Sequence, residues 1–327
     1  MVFLKRFLPW TLVFLIIIAT PFAYFITTAK STFPISTPKV KLVLTLWQVD
    51  TFEGGIGSRT DFLNEASVDF SDGSTLILVK SHTVESVKNA LQKGEIPDMI
   101  SYGVGVDSVV PLLKSLPKID FLGGENGGKI YAYPWCVGGY YLITKTENNQ
   151  LIDRLFVSQG AFNLVYGAIL ESDVEAKEMI CAKPLNAYTS FLSGKKEDAL
   201  VGTQRDIWRL DRRGAEYFAK PIHGFSDIVQ YASVLTGDRV RYDESVRFLK
   251  YLTSQKIQQK LEKIGMHSPY FKMQYGGALG EFDFSKIKTT VSPFTSAEAV
   301  TSLIGELKRQ SITNNSLLTL KNMQKHL

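Results

Sequence analysis

The hydrophobic pattern begins with Lys5 and Arg6, followed by an uncharged run from Phe7 to Ile26 with no polar face along its length. About 20 such residues match the thickness of a bilayer core, and basic residues on the near side place the rest of the chain outside the cytoplasm. An uncleaved anchor is the favoured reading. A cleaved secretory signal is the other, with Thr27-Thr28-Ala29 as its best site. No Cys follows the run, which excludes a lipid-anchored form. Residues 1–29 are therefore expected to be an anchor or signal, and 30–39 a linker.

Beyond the linker the pattern changes to short apolar runs alternating with amphipathic stretches. Val40–Trp47 predicts a strand that ends in a glycine-rich loop, Gln48–Arg59. Ser74–Lys80 predicts a second strand, Val84–Lys93 a helix, and Asp98–Ser101 a third strand. Such alternation is the signature of a parallel sheet covered by helices. Ile130–Ile143 is apolar, aromatic and broken by Pro134 and Gly138-Gly139, so it predicts two extended segments joined by a bend. Helices are expected at Ala161–Glu171, Leu185–Leu192, Asp243–Leu252, Ser254–Lys263 and Ala297–Arg309. Strand-like stretches are expected at Ala199–Val201, Lys220–Gly224 and Phe225–Thr236.

Composition adds bounds. At 327 residues the chain is long enough for two lobes, and 45% hydrophobic with 21% charged residues is ordinary for a globular protein. A net charge of +5 is modest and demands no nucleic acid. Basic Arg209, Arg212 and Arg213 are interleaved with Asp206, Asp211 and Glu216, which reads as a solvated helix face. The two cysteines, Cys136 and Cys181, form neither a disulfide framework nor a zinc spacing and read as small buried side chains.

Several phrases, taken in order, carry a resemblance: LTLWQVDTFEGGIGSRTDFL (Leu44–Leu63), PDMISYG (Pro97–Gly103), YAYPWCVGGYYLI (Tyr131–Ile143), FLSGKKEDALVGTQRDIW (Phe191–Trp208) and ESVRFLKYLTSQKIQQKLEKIGMHSP (Glu244–Pro269). The chain resembles the carbohydrate-type extracellular solute-binding proteins of ABC importers. That resemblance implies an α/β, two-lobed periplasmic-binding-protein-like fold with a hinge and an interlobe cleft, here preceded by an N-terminal transmembrane helix. Lobe one would comprise 40–131 plus 231–266, and lobe two 133–230 plus 267–327. The implied partners are a small polar solute, a sugar first among them, and ABC permease subunits, with a monomer held to the membrane by its N-terminal helix. A membrane-tethered sensor of the same fold is the alternative. The interval from Phe62 to Ser74 leaves little room for the usual first helix, and Asn148–Leu185 is short for the helical insert of the second lobe.

A sugar needs flat apolar surfaces and planar hydrogen-bonding groups. Trp47 ends the first strand beside Gln48, Asp50 and Glu53, at the carboxyl edge where open α/β sheets hold ligands. Trp135 lies on the expected crossover. By the resemblance, Thr203, Gln204, Arg205 and Asp206 supply second-lobe contacts, and Asp227 and Tyr231 sit on the returning crossover. The loop Gly54–Ser58 is either a hydroxyl-binding helix start or a simple turn. It matches neither a phosphate loop nor a dinucleotide fingerprint, so no cofactor is expected. The four histidines form no metal or hydrolase motif, and no G-x-S-x-G is present. The reading is a binding protein, not an enzyme.

Overall fold

A computed structural model describes residues 20, 40–119, 124–147, 151–172, 174–309 and 313–326. The chain divides into Met1–Lys41 and Leu42–Leu327. Of the first unit only Thr20, Val40 and Lys41 are described. The expected membrane span Phe7–Ile26 thus lies, Thr20 aside, outside the described residues. Among those that are described, no helix is long and apolar enough to cross a membrane.

Leu42–Leu327 is built on two five-stranded sheets. The first grows around β1 (Leu42–Val49), whose LVLTLWQV run is buried over most of its length. Its side chains alternate between faces, as a strand requires. Leu44 and Leu46 pack with Phe62 and Leu63 of α1 (Arg59–Phe70) on one face. Trp47 and Val49 pack on the other with Val87 and Ala90 of α2 (Val84–Gln92). β1 pairs in parallel with β2 (Thr75–His82) and with β3 (Met99–Tyr102). α1 starts at Ser58, whose side chain accepts from the Asp61 amide, and it runs for 12 residues. The sequence expectation of too little room for a first helix is corrected here. The helix begins before Phe62 and ends in a turn at Ser71–Gly73, where positive-φ Gly73 reverses the chain.

A small hairpin, β4 (Glu125–Asn126) and β5 (Lys129–Ile130), precedes β6 (Tyr133–Val137). The first sheet has the order β2-β1-β3-β12-β6, in which β12 (Val229–Val234) runs antiparallel to both β3 and β6. Tyr133–Val137 is therefore bonded into the first sheet. The expected lobe boundary at Tyr133 moves to Gly138, and Val229 and Gln230 likewise belong with the first sheet.

The second sheet has the order β11-β7-β10-β8-β9, formed by β7 (Tyr140–Thr144), β8 (Ile152–Ser158), β9 (Ala176–Ala182), β10 (Ala199–Thr203) and β11 (Phe218–Ile222). β8, β9 and β10 are parallel, while β7 is antiparallel to β10 and β11. α3 (Val165–Glu171) follows β8, α4 (Pro184–Ser193) follows β9, and α5 (Gln204–Arg213) follows β10. The short interval Asn148–Leu185 thus holds two strands and a helix.

The chain passes between the sheets at Gly138-Gly139 and again at 223–228. A third passage follows α6 (Arg239–Leu252), where His267 exchanges two backbone hydrogen bonds with Val137. Gly139 is required by contact, because a Cβ there would sit 2.1 Å from the Phe282 ring. The three crossings lie side by side, with Gly138 bonded to the Ile228 carbonyl and Val137 to His267. Both cysteines are unbridged; Cys136 is buried, as expected, while Cys181 is only half-buried.

Candidate functional site

Between the two sheets lies a cleft of about 910 Å³. The first sheet supplies Asp50, just past β1, and Ser81 and His82 at the end of β2. Thr83, Glu85, Ser86 and Lys88 come from the start of α2, and Asp107 and Ser108 from the turn after β3. Phe162 and Ala297 line it from the second sheet's side. These groups gather here because parallel strands all end on one edge, and the loops leaving that edge share one space.

Asp50 is fixed from behind. Its Oδ1 accepts from Arg59 Nε at 2.7 Å and from Gln48 Nε2 at 2.9 Å. The side chain is still 54% exposed. Arg59 itself is buried, donates to the Phe52 carbonyl at 2.8 Å and lies over the Phe52 ring. This arrangement presents a rigid carboxylate to the cleft and neutralises its charge from the protein side. His82 lies 3.1 Å from the Ser86 hydroxyl through Nδ1. Burial, aided by Lys80, holds its imidazole below the ordinary range, so it stands neutral at pH 7. Thr83 and Ser86 close the start of α2 with a reciprocal capping box.

The other residues singled out from sequence fall elsewhere. Trp47, only 4% exposed, lies behind the His82 ring at 4.4 Å between centroids and backs the cleft wall. Trp135 is fully buried in the first sheet, donating to Ser101 Oγ at 2.9 Å and stacked on Phe62. Gln48 is buried and reaches the cleft only through Asp50. Tyr231 is buried on β12, and burial raises its phenol well above the usual value.

Glu53 is half-exposed and meets Arg205 at 3.5 Å and Arg209 at 3.4 Å, a contact from the first lobe to α5 of the second. Thr203 and Asp206 cap α5. Burial lifts the Asp206 carboxyl, with Arg209 and the Thr203 amide opposing that rise. Gln204 is buried and accepts from the Gly139 amide at 3.0 Å, tying α5 to the first crossing. Asp227 is buried on the second crossing and accepts from Tyr140 Oη at 2.7 Å and from the Leu164 amide. Of the expected set, Asp50 alone lines the cleft. The cleft also brings in His82, Glu85, Lys88, Asp107 and Phe162, which the sequence reading had not singled out. The strand-end rule applied to the second strand as well as the first would have found His82.

Among the described residues no cluster of three His, Cys, Asp or Glu side chains is arranged to hold a metal. No protein-family model matches the sequence, and no curated protein sequence does either. Solved structures do match. The GacH receptor of Streptomyces glaucescens GLA.O, solved unliganded and with acarbose, aligns at 15% identity over 86% of this chain and 96% of its own, with a TM-score of 0.56. The chain shares the α/β fold of that receptor.

A cyclo/maltodextrin-binding protein complexed with maltotetraose shares this fold at 12% identity, covering 86% of this chain and 96% of that one, with a TM-score of 0.53. The maltose/maltodextrin-binding domain MalE from Bdellovibrio bacteriovorus, bound to maltotriose, does so at 13% identity, covering 86% and 99%, with a TM-score of 0.50. Likeness at this level of identity establishes the architecture, and the chemistry of the cleft has to be argued from its own residues.

Proposed function

We propose that this protein captures a small polar solute, a sugar, in the cleft between its two sheets and delivers it unchanged to an ABC importer from the outer side of the membrane. The observation that carries the reading is the cleft itself, about 910 Å³ and lined by hydroxyls, carboxylates and one phenyl ring. That volume is in the upper part of the usual range for small-molecule sites, ~300–1,000 Å³. A sugar presents hydroxyls at its edge and C–H groups on its face. Asp50, Glu85 and Asp107 accept from hydroxyls, Ser81, Ser108 and Lys88 donate to them, and Phe162 offers an apolar face. Structural neighbours solved with acarbose, maltotetraose and maltotriose support a saccharide as the first class to test.

Hinge closure is the expected working motion. A solute touching both lobes favours the closed form by its differential affinity for it, and the closed form is what a permease would read. The N-terminal apolar run would hold the molecule near such a partner.

The test is a thermal-shift and titration series on the full chain with maltotriose, xylotriose, sugar phosphates, amino acids and oligopeptides. A solute at ~100 times its Kd stabilises by about 2.7 kcal/mol, a readily measured rise in midpoint. A rise with a saccharide that is lost in Asp50→Ala supports the proposal. A response to peptides alone, or release of free sugar from a glycoside in the same sample, overturns it.

A further inference from the structure

Asp227 has an arrangement that solute contact does not explain. It is 2% exposed and lies on the second hinge crossing, yet both of its oxygens are committed to groups near the other crossing or the cleft. Oδ1 accepts from Tyr140 Oη at 2.7 Å, on the first residue of β7 after the Gly138-Gly139 passage. Oδ2 accepts from the amide of Leu164, which ends the loop joining β8 to α3. Asn163 Nδ2 donates to the same Tyr140 hydroxyl at 2.9 Å, a second tie on the loop. A buried carboxylate is expensive unless its hydrogen bonds are made, and here one is made to Tyr140 at the start of β7 and the other to the irregular segment 159–164, whose Asn163 also holds Tyr140.

That segment carries Phe162, one of two second-lobe residues that line the cleft. Phe162 reaches the first lobe at Gly105, in the turn after β3. Gly105 has φ +98°, and a Cβ there would stand 2.4 Å from the Phe162 ring, so the ring rests directly on the glycine backbone. Gly105 thus serves two needs at once, a left-handed turn and a flat seat.

We infer that Asp227 is a positioning residue for cleft closure, holding the 159–164 loop so that Phe162 bridges the cleft to Gly105. The inference rests on reading this space as the solute cleft and names a device that governs its opening. The carboxylate, on the 223–228 crossing, holds Tyr140 at the start of β7 and the Leu164 amide before α3, so the loop that bears Phe162 is fixed to that crossing and moves with the second sheet, withdrawing Phe162 as the lobes part.

The test is hydrogen exchange on the full chain without any solute, so that a failure to bind sugars, which would sink the proposed function, leaves this result readable. In Asp227→Asn, loss of a charged acceptor is expected to speed exchange about tenfold or more in two places, 160–165 and, across the cleft, 104–108. The β1 amides should keep their parent rates, which distinguishes lost positioning from general loosening. Phe162→Ala should speed 104–108, and the double variant should be no faster there than Phe162→Ala alone. Tyr140→Phe, which removes one donor and keeps the ring, should give the same pattern at smaller size if Asp227→Asn fails to fold. Unchanged protection at 104–108 in the Asp227 and Tyr140 variants, or additive effects in the double variant, overturns the inference.

Discussion

The Trp47 indole lies against the His82 imidazole, with ring centroids 4.4 Å apart and planes tilted by 34°, so the cleft wall is histidine in front and tryptophan behind. The imidazole is neutral at pH 7 because burial, with Lys80 second, lowers its proton affinity. Acidification should therefore charge His82 only below the ordinary histidine value of 6.5, and a charged imidazole in contact quenches an indole. Tryptophan emission of the folded protein should fall in that acidic range. The pH-dependent component should vanish in both Trp47→Phe and His82→Gln; its persistence in either variant would refute the contact.

Trp135 sits with Ser101 and Gln230 in a buried polar network: Ser101 Oγ accepts from Trp135 Nε1 at 2.9 Å and from Gln230 Nε2 at 3.1 Å. Trp135→Ala should therefore act on folding. A fully buried Trp truncated to Ala costs ~3–5 kcal/mol, read as a lowered denaturant midpoint. Once folded, the variant should bind solute with an affinity close to the parent's. A variant of normal stability and weakened binding would return Trp135 to the cleft.

The first sheet was legible because its first strands are short apolar runs, and the glycine pair Gly138-Gly139 marked the bend at which the chain leaves it. The second sheet was less so. β8 reads IDRLFVS, and its alternation is broken by Arg154, which is tolerated because the guanidinium takes both oxygens of Asp198 at 3.1 and 2.6 Å. β9 is an edge strand of partly exposed residues, AKEMICA, with no apolar run to announce it. In the cleft, Asp50 was readable from its place at a strand end. Trp135 was expected at the cleft from its ring type and its place on the crossover, and Tyr231 from the returning crossover; both are fully buried, because burial on β6 and β12 is set by packing between elements far apart in the chain. Phe162 carried no local signal, since its role depends on Gly105 more than fifty residues earlier.

Glu53 joins the lobes through Arg205 and Arg209, at 3.5 and 3.4 Å with all three side chains partly in water. Solvent-exposed pairs of this kind contribute ~0–1 kcal/mol and are screened by salt. Glu53→Ala should accordingly leave the melting temperature nearly unchanged. Its effect should appear in the opening equilibrium, as a small expansion in solution scattering at low salt that disappears at ~1 M salt. A large loss of stability would show that the contact is part of the core.

His267 ties the third crossing to Val137 and is caged by Tyr275 and Phe282, with ring centroids at 4.9 and 4.6 Å. Burial alone pushes its imidazole down to about 4 from an ordinary 6.5. The folded protein therefore keeps His267 neutral while the unfolded chain takes up a proton below pH 6.5. The unfolded state binds more protons across that window, so stability falls as pH drops from about 6.5 to about 4, by roughly 3 kcal/mol in total. Replacing the ring with a non-titrating one of similar shape, His267→Phe, should remove this contribution. Denaturant titrations at pH 7 and pH 4.5 should then show a smaller loss in the variant than in the parent. An equal loss in both would mean that the acid sensitivity of the fold arises elsewhere and that the His267 imidazole is reached by water at the hinge.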